Sequence, residues 1–142
     1  MNRKTLAAVF ALVLALGIAA VSQTPSGPKH HVVFQLNEAK GDAWDSLTPH
    51  VNNTREALAK DGGSQVEVVF FGPGVEMLKK DNKDYEERLR KLSESGVILS
   101  ACQNAMKARK VKSEDLFPFA GQVDSGIAQI TRRQESGWAY VH

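Results

Sequence analysis

The sequence predicts an α/β domain built on a parallel sheet. Two observations carry this. Short apolar runs rich in β-branched residues alternate along the chain with segments of helical period. The links between them are short, and glycine or proline marks most of the boundaries. Alternation of this kind calls for strands side by side, joined by right-handed crossovers, with helices on both faces of the sheet.

Each element can be justified in order. His31-Val32-Val33-Phe34-Gln35-Leu36 reads as a buried first strand, and Asn37 to Gly41 as a loop. From Asp42 a helical stripe begins, with Trp44, Leu47, Val51 and Leu58 on one face. Pro49 lies inside it and should either kink the helix or make Thr48 its true N-cap. Asp61-Gly62-Gly63 closes it as a glycine C-cap. Val66 to Phe71 is the second strand, followed by Gly72-Pro73-Gly74 and a short helix over Val75 to Lys79. A helix from Asp81 to Ser95 places Tyr85, Leu89 and Leu92 on one face, and Gly96 stops it. Val97 to Ala101 is the third strand, with Cys102 at its carboxyl end. Gln103 to Lys110 is a short helix, and Ser113 to Leu116 a helical turn with a serine cap. Asp124-Ser125-Gly126 opens a last helix through Val123, Ile127 and Ile130, with Arg132 and Arg133 near its end and Ser125 as N-cap. Gly137 to Val141 is a final short strand.

The ends of the chain set the expected compartment. Asn2-Arg3-Lys4 form a basic head, Leu6 to Val21 an uncharged apolar run, and Ala20-Val21-Ser22 a small-x-small site. This is the pattern of a secretory signal peptide over 1–22. The run is shorter than the roughly 20 residues a spanning helix needs. A periplasmic or secreted protein is expected, with no membrane attachment once the signal is cut. Residues 23–29 form a flexible spacer, and 30–142 a single domain. Without Arg3 and Lys4, the 18 basic residues become 16, equal to the 16 acidic ones. That balance lacks the basic surplus of a nucleic-acid binder.

Cys102 is the single cysteine of the chain, which excludes an intrachain disulfide, a CxxC redox pair and a multi-cysteine metal site. His30 and His31 are adjacent on a strand and point to opposite faces, while His50 stands alone, so no metal is expected. No dinucleotide or P-loop pattern is present, and no cofactor is called for. Ligands of open α/β sheets bind at the carboxyl ends of strands, which singles out Asn37–Gly41, Gly72–Gly74 and Cys102–Asn104. Asn37, Gly72, Gly74, Gln103 and Asn104 are the candidate ligand-binding residues. Cys102 is the candidate nucleophile: at a helix start, unpaired N–H groups and the helix dipole favour the thiolate. The alternative is a buried cysteine that only packs. Gly72-Pro73-Gly74 also has a plain reading, as a tight strand-to-helix turn. Arg132-Arg133 and Lys107-Ala108-Arg109-Lys110 both read as solvated faces, and the second is close enough in sequence to Cys102 to act on the thiol or attract an anionic partner.

The ordered set Val33-Phe34-Gln35-Leu36, Asn52-Asn53, Val66-Glu67-Val68-Val69 with Gly72, Gly96-Val97-Ile98, Ala101-Cys102-Gln103-Asn104, Ser125-Gly126-Ile127, Gln134 and Gly137-Trp138-Ala139-Tyr140 resembles the DsrE/DsrF-like family, in particular its small single-domain branch. The resemblance spans nearly all of 30–142. It implies a three-layer α/β/α sandwich with a parallel five-stranded sheet, and homo-oligomers, often trimers or hexamers. For the sulfur-relay members it implies a cysteine that carries sulfane sulfur as a persulfide, at the position Cys102 holds here. The partners would be a sulfur donor and an external acceptor, either proteins or small sulfur compounds. The competing function is a non-catalytic, oligomeric small-ligand-binding module of the same fold.

Overall fold

The computed structural model describes residues 27–142. The signal-peptide reading of 1–22 and most of the spacer fall outside the described residues. The elements are β1 (His30–Leu36), α1 (Asp42–Ala59), β2 (Ser64–Phe70), a 3-10 segment (Gly72–Leu78), α2 (Lys83–Glu94), β3 (Ile98–Cys102), α3 (Gln103–Ala108), a 3-10 turn (Ser113–Asp115), β4 (Gly121–Val123), α4 (Gly126–Glu135) and β5 (Ala139–Val141). The five strands form one parallel sheet in the order β4-β3-β2-β1-β5.

Strand alternation splits the core in two. Val32, Phe34, Leu36, Val66, Val68, Phe70, Leu99 and Ala101 face the layer made by α1, α2, α3 and the 3-10 segment. Trp44, Leu47 and Val51 of α1, with Tyr85, Leu89 and Leu92 of α2, fill that side. The Trp44 and Tyr85 rings meet edge to face, 5.5 Å apart. On the other face Val33 and Val69 pack under α4, against Ile130 and Trp138. The third layer is thus one helix deep.

Four details differ from the sequence expectation. α1 runs unbroken through Pro49, so Thr48 is an interior residue and not a cap. Burial of the helix face on both sides of the proline outweighs the missing N–H. Val123 belongs to β4, a three-residue edge strand, and α4 starts three residues later. Ile127 is 60% exposed, because Gly126, Gln129, Ile130 and Arg133 form the inner face of α4. The cap of the 3-10 turn is the Asp115 carboxylate, which accepts the Lys112 N–H at 2.8 Å, while the Ser113 hydroxyl donates to Gln122.

Arg133 is also not a solvated residue. Glu67, on β2, has no exposed surface. Its carboxylate accepts hydrogen bonds from Ser100 Oγ on β3 (2.6 Å), Gln129 Nε2 on α4 (3.1 and 3.2 Å) and Arg133 Nε (2.5 Å). The Arg133 guanidinium also lies over the Trp138 ring, 4.1 Å from its centroid. Removing Arg133 leaves a buried carboxylate without its counter-charge. Arg133→Met is therefore expected to lower unfolding free energy by about 3 kcal/mol in chemical denaturation, with much of the loss recovered when Glu67→Gln is added.

Burial first, and then the hydrogen bond to Asp45, raise the Tyr85 phenol above its ordinary value. A raised folded-state value contributes stability that is complete below the unfolded value of about 10 and is lost as pH rises through the folded one. Stability measured above about pH 10 should fall less steeply in Tyr85→Phe than in the parent.

Candidate functional site

In this sheet the connection after β3 runs through α3 on one face, and that after β4 through α4 on the other. The chain changes faces between β3 and β4, and Cys102 and Val123 are the paired residues there. The strand order itself reverses between β1 and β5, so the lone thiol stands at the carboxyl end of β3 and not at that switch point.

Cys102 closes β3 in an extended conformation and is the N-cap of α3. Its Sγ accepts the Ala105 N–H at 3.4 Å, satisfying one of the free donors of the first turn. Ser125 does the same for α4, its Oγ accepting the Ala128 N–H at 3.4 Å. Two helix starts thus flank the ends of β3 and β4. Cys102 itself is only 5% exposed, so the thiol is held inside the protein and not on its surface. Gly126 explains the tight cover. A Cβ there would sit 2.8 Å from Phe71 Cβ and 3.3 Å from Cys102 Cβ. Only glycine lets α4 begin this close to the β2 and β3 ends.

The other candidates divide into two groups. Gln103 and Asn104, the first two residues of α3, are exposed beside the thiol. Gln103 Nε2 reaches Gln122 Oε1 at 3.4 Å, tying α3 to β4. Asn37, Gly72 and Gly74 gather at the ends of β1 and β2. A Cβ on Gly74 would lie 2.1 Å from the Leu36 carbonyl oxygen, so this glycine seats the loop on the β1 backbone. Gly72 adopts a φ of 50°, the left-handed region, next to Asn37. The Asn37 N–H is bound to the Glu38 carboxylate at 3.0 Å. The loop's glycines therefore have packing reasons of their own.

The basic cluster after Cys102 lies at the far end of α3, about 9 Å along its axis. Arg109 there is paired with Glu76, Nε to Oε1 2.6 Å. A cleft of about 180 Å³, bordered by Leu36, Glu38, His50 and Val141, opens at the ends of β1 and β5 and does not reach Cys102. His31 packs against Trp138 with ring centroids 5.2 Å apart. Among the described residues, no three His, Cys, Asp or Glu side chains gather as a metal site, and no helix is long and apolar enough to cross a membrane. The Glu67 cluster escaped the sequence reading. The signal was present, since a charged residue stood inside a run otherwise fit for burial.

A model of the DsrE/DsrF-like family matches residues 30–142, the whole of the sheet and its helices. The chain belongs to the DsrE/DsrF-like family. Among solved structures, it is similar to MTH1491, a protein of unknown function from Methanobacterium thermoautotrophicum. Identity is 32%, the TM-score 0.68, and the match covers 79% of this chain and 97% of that one. It also shares its fold with BT1422, a conserved protein of unknown function from Bacteroides thetaiotaomicron, at 14% identity and a TM-score of 0.62, over 78% and 92% of the two chains. No curated protein matches. Membership of the DsrE family points to sulfur-relay-like function in general.

The packing around Gly126 gives a direct check on this site. Gly126→Ala should cost about 1–3 kcal/mol by overpacking. Alkylation of native Cys102 should become faster as the start of α4 lifts from Phe71. Parent-like stability and parent-like alkylation would show that α4 is not the cover of the thiol.

Proposed function

We propose that this chain is a sulfur carrier that holds sulfane sulfur as a persulfide on Cys102 and passes it to a partner. The observation that carries the reading is the position of the thiol, N-capping α3 at the carboxyl end of β3 in a DsrE-family sheet. The Cys102 thiolate attacks the outer sulfur of a donor R–S–SH. The bond between the two donor sulfurs breaks, a bond from Sγ to the transferred sulfur forms, and R–S⁻ leaves. An acceptor thiolate reverses these steps. Sulfur moves at the sulfane level both times, so no outside oxidant or reductant enters, and no second cysteine is required in this chain. The persulfide is itself an anion and gains from the Ala105 N–H and the start of α3. Gln103 and Asn104, exposed at the same point, would meet the donor or acceptor.

In this reading the chain is exported, works outside the cytoplasm and forms a homo-oligomer. The basic head and apolar run of 1–22 support export. Ile127, Tyr140 and Val141 are exposed apolar side chains that self-association would cover, which supports the oligomer.

The second reading is a non-catalytic small-ligand-binding module, and the burial of Cys102 favours it. Intact mass after exposure to thiosulfate or polysulfide separates the two. A carrier gains one sulfur atom, loses it to an added thiol, and gains none as Cys102→Ser. An unmodified native thiol, together with lower stability in Cys102→Ala, would establish the packing role instead.

A further inference from the structure

Far from Cys102, α1 and α2 enclose a cleft of about 310 Å³ on the outer face of the domain, lined by Thr48, Asn52, Arg55, Arg88, Lys91, Leu92 and Ser95. The lining holds three cations and no carboxylate. Arg55 is pinned in place: one guanidinium nitrogen donates to Ser95 Oγ (2.6 Å) and the other to the Ser95 carbonyl (2.7 Å). Both recorded contacts of its guanidinium are to neutral Ser95, and most of its five donors are left over among the described residues. Arg88 lies over the Tyr85 ring with Asp45 at 3.7 Å, and Lys91 has Glu87 at 3.4 Å. Both contacts are longer than a charge-assisted hydrogen bond and leave donors available.

A second observation is independent of charge. Thr48 is 8% exposed, and its Oγ1 is sealed in the wall of the cleft with no hydrogen-bond partner. A helical threonine ordinarily bonds the carbonyl four residues back. An unpaired buried hydroxyl is costly and calls for a reason.

We propose that this cleft binds a tetrahedral oxyanion, a phosphate or a sulfur oxyanion, between Arg55, Arg88 and Lys91, with Asn52 as a neutral donor and the Thr48 hydroxyl joining it by turning about χ1 into the cleft. The planar Arg55 fork suits two oxygens of one such group. The site is separate from the sulfur-carrier reading and does not rest on it.

Titration calorimetry at fixed ionic strength, with sodium phosphate and with sodium thiosulfate against a chloride reference, tests it. Saturable heat beyond chloride is expected. Arg88→Gln and Lys91→Gln should each weaken binding about tenfold while the protein stays folded. Thr48→Val should do two opposite things: raise Tm of the free protein and reduce the rise in Tm that the anion produces. Cys102→Ser should bind as the parent does. Preference between the two salts assigns the phosphate or the sulfur class. Heat no greater than chloride, or parent-like binding in the Arg88 and Lys91 variants, overturns the site.

Discussion

Glu67 is a charged carboxylate at the centre of the second core, on the side of the sheet where one helix must do all the covering. Its oxygens cannot be left bare in that setting, and the donors come from two directions. Ser100 supplies one from the neighbouring strand. Gln129 and Arg133, four residues and about one turn apart, supply the rest from α4. An ion pair of this kind adds little net stability over a well-packed apolar alternative. Its contribution is directional. Hydrogen bonds from Gln129 and Arg133 can all be made only at one rotation and one height of α4 over the sheet. With that fixed, the start of α4 falls where Gly126 meets Phe71 and Cys102.

Seen from the site, this ordering matters. The chain changes faces between β3 and β4. How closely the start of α4 covers Cys102 is set by how α4 leaves β4, and so by the clamp on Glu67 two turns further along. Gly126 is the other half of the constraint, since any side chain at that position would push the helix off the strand ends. Packing, and not a loop conformation, thus holds the thiol. Sites supported by rigid elements keep their geometry better than sites on free loops.

The parts of this architecture that could be read from the sequence are those with strong periodic signals. β1, β2 and β3 are apolar and β-branched, and their carboxyl ends were placed within a residue. α1 and α2 carry stripes that survive even Pro49, because burial along the helix outweighs one lost hydrogen bond. β4 was invisible for a physical reason: three residues, Gly121-Gln122-Val123, give no alternation to detect, and the strand owes its existence to pairing with β3. That error moved Val123 into the next helix and put Ile127 on the wrong face. Arg133 was misread because a guanidinium near a helix end is usually solvated, and its partner is 66 residues away in sequence. Cys102 was placed correctly at a helix start. Its burial was left open, because periodicity along a strand does not show what a later helix will cover.

Cys102 is both buried and used as the cap of α3 through the Ala105 N–H, so the thiol is enclosed and held in one place. A thiol on the open surface would be free to form disulfides with any passing cysteine, above all under the oxidising conditions that the proposed export would bring. Enclosure behind Gly126 and Phe71 blocks such encounters. In the proposed carrier role, a donor or acceptor would have to approach beside Gln103 and Asn104, which would restrict the exchange to matched partners. The missing second cysteine is compatible with the proposed carrier role. A resolving thiol within the chain would attack a persulfide on Cys102 and expel its sulfur, whereas a lone thiol would hold it until an external acceptor arrived.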